Sequence, residues 1–209
     1  GQALVDSMTE LGMSTSDVDL AMSSVYANNR DLVDDGANRY FFVRDREDDP
    51  AVELPVVDGD AAAPEAGHPR LHPEHPDRGE REVPAGTVVV ESGDLPPEGE
   101  RVWLKGYGPV RYEGDELVFL DADIEIVREG DVDVIHWAPA DEGLETLLRT
   151  VDGDVPGIAE PALADVDPDT VVQFVRVGFA RIDAFDPEAT DEADGPDGSE
   201  DLVAYYAHP

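Results

Sequence analysis

The first 36 residues carry the apolar spacing of helices. Leu4, Met8 and Leu11 recur at helical intervals, and Gly12 ends that run. Hydroxyl residues at 14–16 then offer helix caps before a second apolar series that runs to Gly36. The pattern therefore predicts two helices within a helical segment over residues 1–36.

After Gly36 the apolar spacing becomes that of β-strands. Short runs rich in Val, Ile and aromatic residues alternate with Gly, Pro and Asp, which are typical of turns. The runs are Tyr40–Val43, Val52–Val57, Val88–Val90, Val102–Leu104, Leu117–Leu120, Ile124–Val127, Val132–Trp137, Leu147–Arg149, Val171–Val175, Phe179–Ile182 and Leu202–Tyr206. So many short strands predict a mainly β fold with an N-terminal helical segment, built on one or two closed β-barrels.

Two segments contain little that could be buried. Val57–Gly67 and Asp186–Asp201 are rich in small, acidic and turn residues, and we expect both to be mobile loops. The sequence shows no repeat at a fixed period, which argues against a solenoid or a propeller.

The charge of the chain is extreme. There are 50 acidic and 14 basic residues, giving a net charge of −36 over 209 residues, and Lys105 is the single lysine. A disordered acidic protein would be poor in apolar residues, whereas this chain is 41% hydrophobic and its apolar residues fall in patterned runs. The composition therefore indicates a folded protein with an acidic surface, as expected in a cytoplasm of molar salt that screens self-repulsion.

Neither secretion nor a membrane location is indicated. The chain has no cysteine, and its apolar runs fall far short of the ~20 residues that a membrane span needs. No secretory signal opens the chain, and its start at Gly1 without Met suggests a piece of a longer protein. We therefore expect a cytoplasmic protein without a membrane partner.

A metal site at three histidines is one alternative for the chemistry of the chain. His68, His72 and His75 lie close together beside Glu74 and Asp77. Four prolines in the same stretch impose an extended backbone, which splays neighbouring side chains apart, and the usual zinc spacings are missing. A structural loop is favoured, and no metal site is expected.

No catalytic motif is present. Carboxylates are so numerous that no acid–base pair can be chosen from spacing, and no serine lies in a nucleophile elbow. A glycine-rich phosphate loop with its lysine is also missing, since Gly106 and Gly108 flank Tyr107 in a predicted turn between strands. We therefore expect no catalytic residue in this chain.

The scarce basic residues are the best candidates for a binding site. Several lie beside aromatic residues: Arg39 precedes Tyr40, Arg101 precedes Trp103 by two residues, and Gln173 and Arg176 flank Phe174. The simplest interpretation of any single arginine is an ion pair with one of the many acids. As a set, however, arginine, glutamine and aromatic side chains on β-barrels are typical of proteins that read splayed-out RNA bases.

Five segments, in order, resemble the C-terminal barrels of archaeal glutamyl-tRNA synthetases, and related strings occur in glutaminyl-tRNA synthetases. They are NRYFFVRD at Asn38–Asp45, HPEHPDRGEREVPAG at His72–Gly86, VDVIHWAPA at Val132–Ala140, GIAEPAL at Gly157–Leu163 and VVQFVRVGFARID at Val171–Asp183. The set covers nearly the whole chain. The chain therefore resembles the anticodon-binding region of this class I family, from a halophilic archaeon.

The resemblance implies a helical connector followed by two β-barrels of the family's anticodon-binding type. The connector, which contacts the tRNA stem in the family, would be residues 1–36. The barrel nearer the catalytic core would comprise 37–92 with 170–209, and the outer barrel would comprise 93–169. His136 and Trp137 look structural in the family, and Trp137 is expected in the core.

The resemblance also implies four anticodon-binding residues. Arg39 matches an arginine that serves the first anticodon base, and Gln173 and Arg176 match a pair that contacts the middle base, a uridine. Arg101 falls near the contact to the third base. If the strand were regular, Gln173 and Arg176 would lie on opposite faces, so a bulge or twist is needed for both to meet one ligand.

The implied partner is tRNA(Glu), with tRNA(Gln) also open, and a monomer is expected. In the family the parent enzyme attaches glutamate to tRNA with ATP and Mg²⁺, but the catalytic signature motifs are absent, so no cofactor is expected in this stretch. Two alternatives stay open. One is the same region of a glutaminyl-tRNA synthetase, and the other is a halophilic interaction barrel with no RNA partner.

Overall fold

The computed structural model describes residues 31–121, 132–183 and 202–208. Residues 31–36 are helical, and the predicted end of the helical segment at Gly36 is confirmed. The rest of that segment lies outside the described residues. Ala37 belongs with the helix to a unit separate from the β-rich unit that begins at Asn38. No helix in the described ranges is long and apolar enough to cross a membrane.

The described part of the β-rich unit contains short strands and three short 3₁₀ helices. The strands are β1 (Arg39–Tyr40), β2 (Phe42–Arg44), β3 (Ala51–Val57), β4 (Ala66–Gly67), β5 (Val83–Pro84), β6 (Thr87–Glu91), β7 (Arg101–Leu104), β8 (Gly108–Tyr112), β9 (Leu117–Phe119), β10 (Val134–Ile135), β11 (Ala138–Pro139), β12 (Leu144–Thr150), β13 (Gly153–Ala159), β14 (Val171–Phe174), β15 (Gly178–Ile182) and β16 (Leu202–His208). The 3₁₀ helices are Pro76–Arg78, Ser92–Asp94 and Pro161–Asp165. The predicted fold class, mainly β, is confirmed.

Ten of the eleven predicted runs can be compared with these strands, and each overlaps at least one of them. The eleventh, Ile124–Val127, lies outside the described residues, as does the predicted loop Asp186–Asp201. Five strands were not predicted: β4, β5, β8, β11 and β13. β8 and β13 both carry Gly and Pro, which count against a strand when the sequence is considered alone, and the other three are only two residues long.

Two sheets of seven strands dominate the unit. The first has the order β1-β14-β15-β16-β12-β13-β2, and the second has the order β10-β7-β8-β9-β3-β6-β11. A small third sheet pairs β4 with β5. In each large sheet the two edge strands are consecutive along the chain. A single short segment therefore pairs with both ends of the rest of the sheet and closes it. Residues 39–44 close the first sheet, and residues 134–139 close the second.

The two large sheets are built alike. From the first edge strand to the last, each runs through one parallel pair, two antiparallel pairs, another parallel pair and two antiparallel pairs. The registers also agree: Arg39 lies opposite Gln173 as Val134 lies opposite Trp103. The unit is therefore a structural duplication, although the sequence shows no fixed-period repeat.

The two repeats exchange their first strands. Strands β1 and β2 lead directly into β3, yet they pair with β14 and β13 of the other sheet. Strands β10 and β11 lead into β12, yet they pair with β7 and β6. Each sheet is therefore completed by the segment that precedes the other one, and neither sheet is continuous in sequence.

Each large sheet has its own hydrophobic core, and a small cluster lies where the exchanged strands meet. The second sheet encloses Trp137, Phe41 and neighbouring apolar residues, and the expectation that Trp137 lies in the core is confirmed. The first sheet encloses Phe42, Phe174 and their neighbours. The small cluster contains Val43, from β2 of one sheet, with partners from β6 and β11 of the other.

The predicted barrel boundaries stay a prediction, because membership of a sheet does not by itself delimit a domain. In the structure, residues 51–119 with 134–139 supply the second large sheet. Residues 39–44, 144–159 and the last three strands supply the first. The expectation that the last strands return to join the earliest ones agrees with the pairing of β14 with β1.

Candidate nucleic-acid interface

A cleft of about 350 Å³ gathers basic side chains from both large sheets and from the loop between β4 and β5. It is lined by Arg39, Phe41, His68, Pro69, Arg70, Pro73, Glu80, Arg81, Lys105, Gly106 and Val175. Four of these residues are cations and one is a carboxylate. In a chain with a net charge of −36, such a concentration of cations makes the cleft the best candidate for a site that binds an anion.

Lys105 follows β7 and is held there through its backbone. Its N–H donates to the carbonyl of Ile135 at 2.9 Å, and its carbonyl accepts from the Trp137 indole Nε1 at 3.0 Å. Burial lowers the pKa of Lys105, and the nearby guanidinium groups of Arg39 and Arg81 lower it further. Within the described residues no carboxylate forms an ion pair with this ammonium group. An anionic ligand in the cleft would therefore stabilise the charged lysine.

The turn after Lys105 packs against the loop that forms the opposite wall. Gly106 has a φ of 74°, a conformation that favours glycine, and its carbonyl accepts from the His68 amide at 2.8 Å. A Cβ on Gly106 would lie 2.7 Å from Cα of Pro69. The close approach of the two backbones therefore requires glycine at this position.

The floor of the cleft contains a buried ion pair. The Arg81 side chain is 5% exposed and pairs through Nε with Oε1 of the fully buried Glu160. It also donates to the carbonyl of Arg70 at 2.7 Å, and the other Glu160 oxygen accepts from the Phe41 amide at 2.8 Å. Burial raises the pKa of Glu160, while Arg81 opposes that shift. This pair joins the loop wall to the segment that closes the first sheet.

Arg39 and Gln173 are brought together by the parallel pairing of β1 with β14. They are register partners, so their side chains lie on the same side of the sheet. The Gln173 amide donates to the carbonyl of Asn38 at 2.9 Å, and the Arg39 amide donates to the carbonyl of Leu71 at 2.7 Å. Among the described residues, the buried Gln173 Oε1 accepts no hydrogen bond. It becomes available to an N–H donor of a ligand only if the Gln173 side chain turns out of this buried position.

Arg176 lies in the turn between β14 and β15, directly after Val175 of the cleft wall. It is one of two non-glycine residues with a positive φ in the described ranges, at 65°. Because β14 ends at Phe174, Arg176 lies in a turn, and strand alternation does not fix its side relative to Gln173. The Arg176 Nη1 donates to Asp94 Oδ2 at 2.7 Å.

Arg101 is not brought to this cleft. It begins β7, whereas Lys105 follows the end of the same strand, so the two lie roughly 13 Å apart at about 3.3 Å per residue. Arg101 is exposed and lies opposite Arg111 on β8. Three of the four predicted residues therefore lie at or next to the cleft, and their anticodon contacts stay a prediction.

The histidines of the proline-rich loop occupy different places. His68 lines the cleft, whereas His72 is fully buried with its ring centroid 4.6 Å from that of His75. Among the residues the structure describes, no group of three or more His, Asp or Glu side chains is arranged to hold a metal ion.

A row of ionisable side chains continues from Asp94, the partner of Arg176. Arg44 pairs with Glu91 through two hydrogen bonds of 2.7 and 3.0 Å. The fully enclosed His136 lies 3.7 Å from Glu91 Oε1 on one side and 3.9 Å from Asp94 Oδ2 on the other. Burial lowers the pKa of His136, although both carboxylates oppose the shift. Burial raises the pKa of Glu91, but Arg44 outweighs that effect and the pKa lies below its usual range.

Sequence reasoning did not select Lys105 and Arg70. Neither forms an ion pair in the described part of the chain, and both line the cleft. One signal was present, because a single lysine among 14 basic residues is itself unusual. The position of that lysine in a predicted turn gave no indication that it would meet Arg39.

Two family models match the chain. Both are described as tRNA synthetases class I (E and Q), anti-codon binding domain, and they match residues 37–127 and 134–183. The two matches divide the β-rich unit close to the boundary between its structural repeats, and the cleft draws residues from both.

The chain is also similar over its whole length to archaeal proteins called glutamate–tRNA ligase. It is 57% identical to that of Halobacterium salinarum, with 100% of this chain and 35% of the relative covered. It is 55% identical to that of Natronomonas pharaonis, covering 100% and 33%. It is 34% identical to that of Methanosarcina barkeri, covering 99% and 34%. The chain thus spans about a third of the length of the curated relatives it matches.

Proposed function

This chain belongs to the anticodon-binding domains of the class I tRNA synthetases for glutamate and glutamine, and on that premise we propose that its basic cleft binds unstacked anticodon bases. The observation that carries the proposal is the convergence of Arg39, Arg70, Arg81 and Lys105 on one cleft. Arg81 is neutralised by Glu160, whereas Lys105 and Arg70 form no ion pair in the described residues, so these two supply attraction for an anionic ligand.

High salt determines which contacts between the cleft and RNA can contribute to binding affinity. In molar salt the Debye length falls to about 3 Å, so repulsion between the acidic surface and RNA is largely removed. The same salt weakens phosphate contacts, because each one costs roughly a decade of affinity per decade of salt. Recognition therefore depends on base stacking and on hydrogen bonds made inside a partly buried cleft. Phe41 and Val175, which are both buried, give the cleft apolar walls.

Gln173 and Arg176 are proposed to read one base together. With its side chain turned toward the cleft, the unused acceptor Gln173 Oε1 would accept from the N3–H of uracil, and a guanidinium donates to the carbonyl oxygens of the same base. This assignment agrees with the family resemblance, which places both residues at the middle anticodon base. Arg39, the register partner of Gln173, is proposed to contact the first base.

For Lys105 we propose a contact to a phosphate of the same loop. Its ammonium group is a compact charge without a rigid donor pattern, and such a group attracts a phosphate better than it discriminates between bases. Loss of Lys105 is therefore expected to weaken all anticodon sequences alike.

The longer protein is proposed to attach glutamate to tRNA(Glu), because the curated relatives are called glutamate–tRNA ligase. The ATP and Mg²⁺ that this reaction uses are assigned to the parts of the ligase beyond the matched third. We propose that it acts as a monomer in the cytoplasm. Use of tRNA(Gln) as a second partner is an outcome of the binding experiment below.

The test is binding of tRNA(Glu) to the 209-residue chain in molar KCl. Gln173→Ala should weaken binding about tenfold for uridine at the middle anticodon position and should erase the preference over cytidine there. Lys105→Met should weaken binding about tenfold whatever that base is. Equal affinity of the wild-type chain for every anticodon would refute anticodon reading.

Arg101→Met is the matched control. Arg101 and Lys105 lie at opposite ends of the same strand, and only Lys105 lines the cleft. The cleft proposal expects wild-type affinity for Arg101→Met. A loss of discrimination at the third anticodon base would instead support the role that the family resemblance implies for Arg101. Parallel titrations with tRNA(Gln) measure whether the chain separates the two tRNAs.

A further inference from the structure

Arg176 is held by a carboxylate from the other large sheet. Its Nη1 donates to Asp94 Oδ2 at 2.7 Å, across a separation of 82 residues in sequence. Arg176 lies in the turn that follows β14 of the first sheet, and Asp94 lies in the 3₁₀ helix that follows β6 of the second. The contact therefore ties the turn to a different sheet.

Only part of the guanidinium group is used by this contact. In the described residues, Asp94 is the one hydrogen-bond partner of the Arg176 side chain, which is 48% exposed. A guanidinium carries five N–H donors in a rigid planar arrangement. The remaining donors are available to a ligand, while the bond to Asp94 restricts the orientation of the whole group.

Stability does not account for this arrangement. A half-exposed ion pair contributes about 0–1 kcal/mol, and a non-glycine residue at positive φ costs roughly 1–2 kcal/mol. The duplicated fold provides an internal comparison, because Gly106 occupies the equivalent place after β7 with a φ of 74°. The turn therefore forms without any side chain at this position, and the arginine serves another purpose.

Asp94 is itself supported from behind. Its side chain is only 13% exposed, and Oδ2 lies 3.9 Å from Nδ1 of the enclosed His136. His136 is in turn 3.7 Å from Glu91, which Arg44 holds through two hydrogen bonds. No hydrogen bond joins His136 to either carboxylate among the described residues, so it is the low exposure of the Asp94 side chain that limits its freedom and lets it fix the group that it binds.

We infer that Asp94 is a positioning residue for RNA recognition, which orients the Arg176 guanidinium so that its free N–H donors meet the acceptor atoms of one anticodon base. The inference rests on the proposed function. It adds a specificity-determining residue that contacts no RNA itself. The gain comes from preorganisation, because an arginine that is already oriented loses less side-chain entropy when RNA binds.

A competing role for Asp94 predicts the opposite sign. If the carboxylate occupied the guanidinium at the expense of RNA, removal of its charge would release Arg176 and strengthen binding. If Asp94 positions Arg176, removal of the charge weakens binding, and it does so only while Arg176 is present. The direction of the change therefore decides between the two roles.

The experiment is a double-mutant cycle in the 209-residue chain. Asp94→Asn, Arg176→Gly and the double variant are titrated in molar KCl with an RNA hairpin that carries the tRNA(Glu) anticodon loop. Asp94→Asn should weaken binding roughly three- to tenfold, the cost of one side chain that must now be ordered. In the Arg176→Gly background the same change should have no effect. The preference for uridine over cytidine at the middle base should fall by the same factor in Asp94→Asn.

Asp169→Asn is the matched control, because Asp169 also pairs with an exposed arginine, Arg181, away from the cleft. It should retain wild-type affinity. Tighter binding by Asp94→Asn, or an equal loss in both backgrounds, would overturn the inference. If Asp94→Asn fails to fold, Asp94→Glu supplies the same cycle, since it keeps the charge but shifts it by one methylene.

The outcome for Gln173→Ala distinguishes failure of the positioning role of Asp94 from failure of anticodon reading itself. If that variant loses its base preference while Asp94→Asn behaves as wild type, anticodon reading stands and the positioning role is refuted. If the wild-type chain binds all anticodons equally, the proposed function itself fails.

Discussion

The turns after β7 and β14 occupy equivalent places in two sheets of identical strand order. At the same backbone position one turn carries a glycine and the other carries an arginine. Gly106 and Arg176 have φ values of 74° and 65°. Gly106 lets the turn approach Pro69 more closely than any Cβ would allow. Arg176 adopts the same strained positive φ although it has a side chain, and that side chain is a cation. The duplicated scaffold thus places a glycine that permits close packing in one copy and a strained cationic residue in the other.

A second equivalent pair shows the same division. Glu91 ends β6 and Glu160 follows β13, and each precedes a 3₁₀ helix. Glu160 pairs with Arg81, which is 5% exposed, whereas Glu91 pairs with Arg44, which is 25% exposed. The first pair lies under the cleft and the second lies behind Arg176. The difference in burial predicts different energetic roles for the two glutamates.

The largest expected effect is the loss of a buried partner. Glu160→Gln should lower the free energy of unfolding by about 3–5 kcal/mol, because it leaves the enclosed Arg81 charge uncompensated. Glu91→Gln should cost about 1–3 kcal/mol, since the Arg44 side chain can still reach water. Urea unfolding in molar KCl measures both values. Equal losses of unfolding free energy in the two variants would show that burial does not distinguish Glu160 from Glu91.

The glycine turn provides the next largest effect. Gly106→Ala should cost about 1–3 kcal/mol from the clash with Pro69, in addition to the strain of a side chain at positive φ. Gly99→Ala is the control, because its φ is 87° and a Cβ there would meet nothing within 4 Å. A similar loss at both positions would mean that strain alone, and not the packed loop, governs the first turn.

His136 makes the free energy of unfolding depend on pH. Phe41, which occupies the equivalent position in the other repeat, has no ionisable group and makes no such contribution. Because the folded pKa of His136 lies below its ordinary value of 6.5, the neutral form is favoured in the folded state. Its stabilising contribution is complete above pH 6.5 and is lost as the pH falls towards the folded pKa, at no more than about 1.4 kcal/mol per unit. The difference in unfolding free energy between the wild type and His136→Gln, measured from pH 7.5 to 5.5, isolates this slope. A constant difference would contradict it.

The smallest expected effect on stability is at Arg176. Arg176→Gly converts the turn into the form seen at Gly106, so relief of strain and loss of the ion pair should cancel to within about 1 kcal/mol. Binding of tRNA(Glu) should nevertheless fall about tenfold. A large loss of stability in urea would instead mark Arg176 as a structural residue.

The strands that the sequence predicted correctly share a simple feature. Runs such as Val88–Val90 and Val102–Leu104 are apolar, short and bounded by turn residues, so local pattern alone identifies them. The strand β13, with sequence GDVPGIA, does not meet that rule. Its Gly157 is needed because a Cβ there would lie 2.2 Å from the carbonyl oxygen of Val43. Gly157 counts against a strand in the sequence, yet it is the residue that allows β2 to pair with β13.

The structural duplication was not predicted because equivalent positions carry unrelated side chains. Arg39 and Val134 are equivalent, as are Gly106 and Arg176, and neither pair is similar in chemistry. Glu91 and Glu160 are identical, but one match among 50 acidic residues carries no signal. Only the order and register of the strands show that the two halves correspond.

The sequence by itself determined the β-rich class, the acidic surface, the scarcity of cations and three of the residues at or beside the cleft. The tertiary structure alone decided which groups lie beside each cation. Lys105 lies near Arg39, Arg81 pairs with Glu160, and Arg176 pairs with Asp94. The physical reason is that an alternating pattern specifies which face of a strand is buried but not which strand lies beside it. Where two repeats exchange their first strands, residues that are distant in sequence become neighbours through sheet order, which no local pattern records.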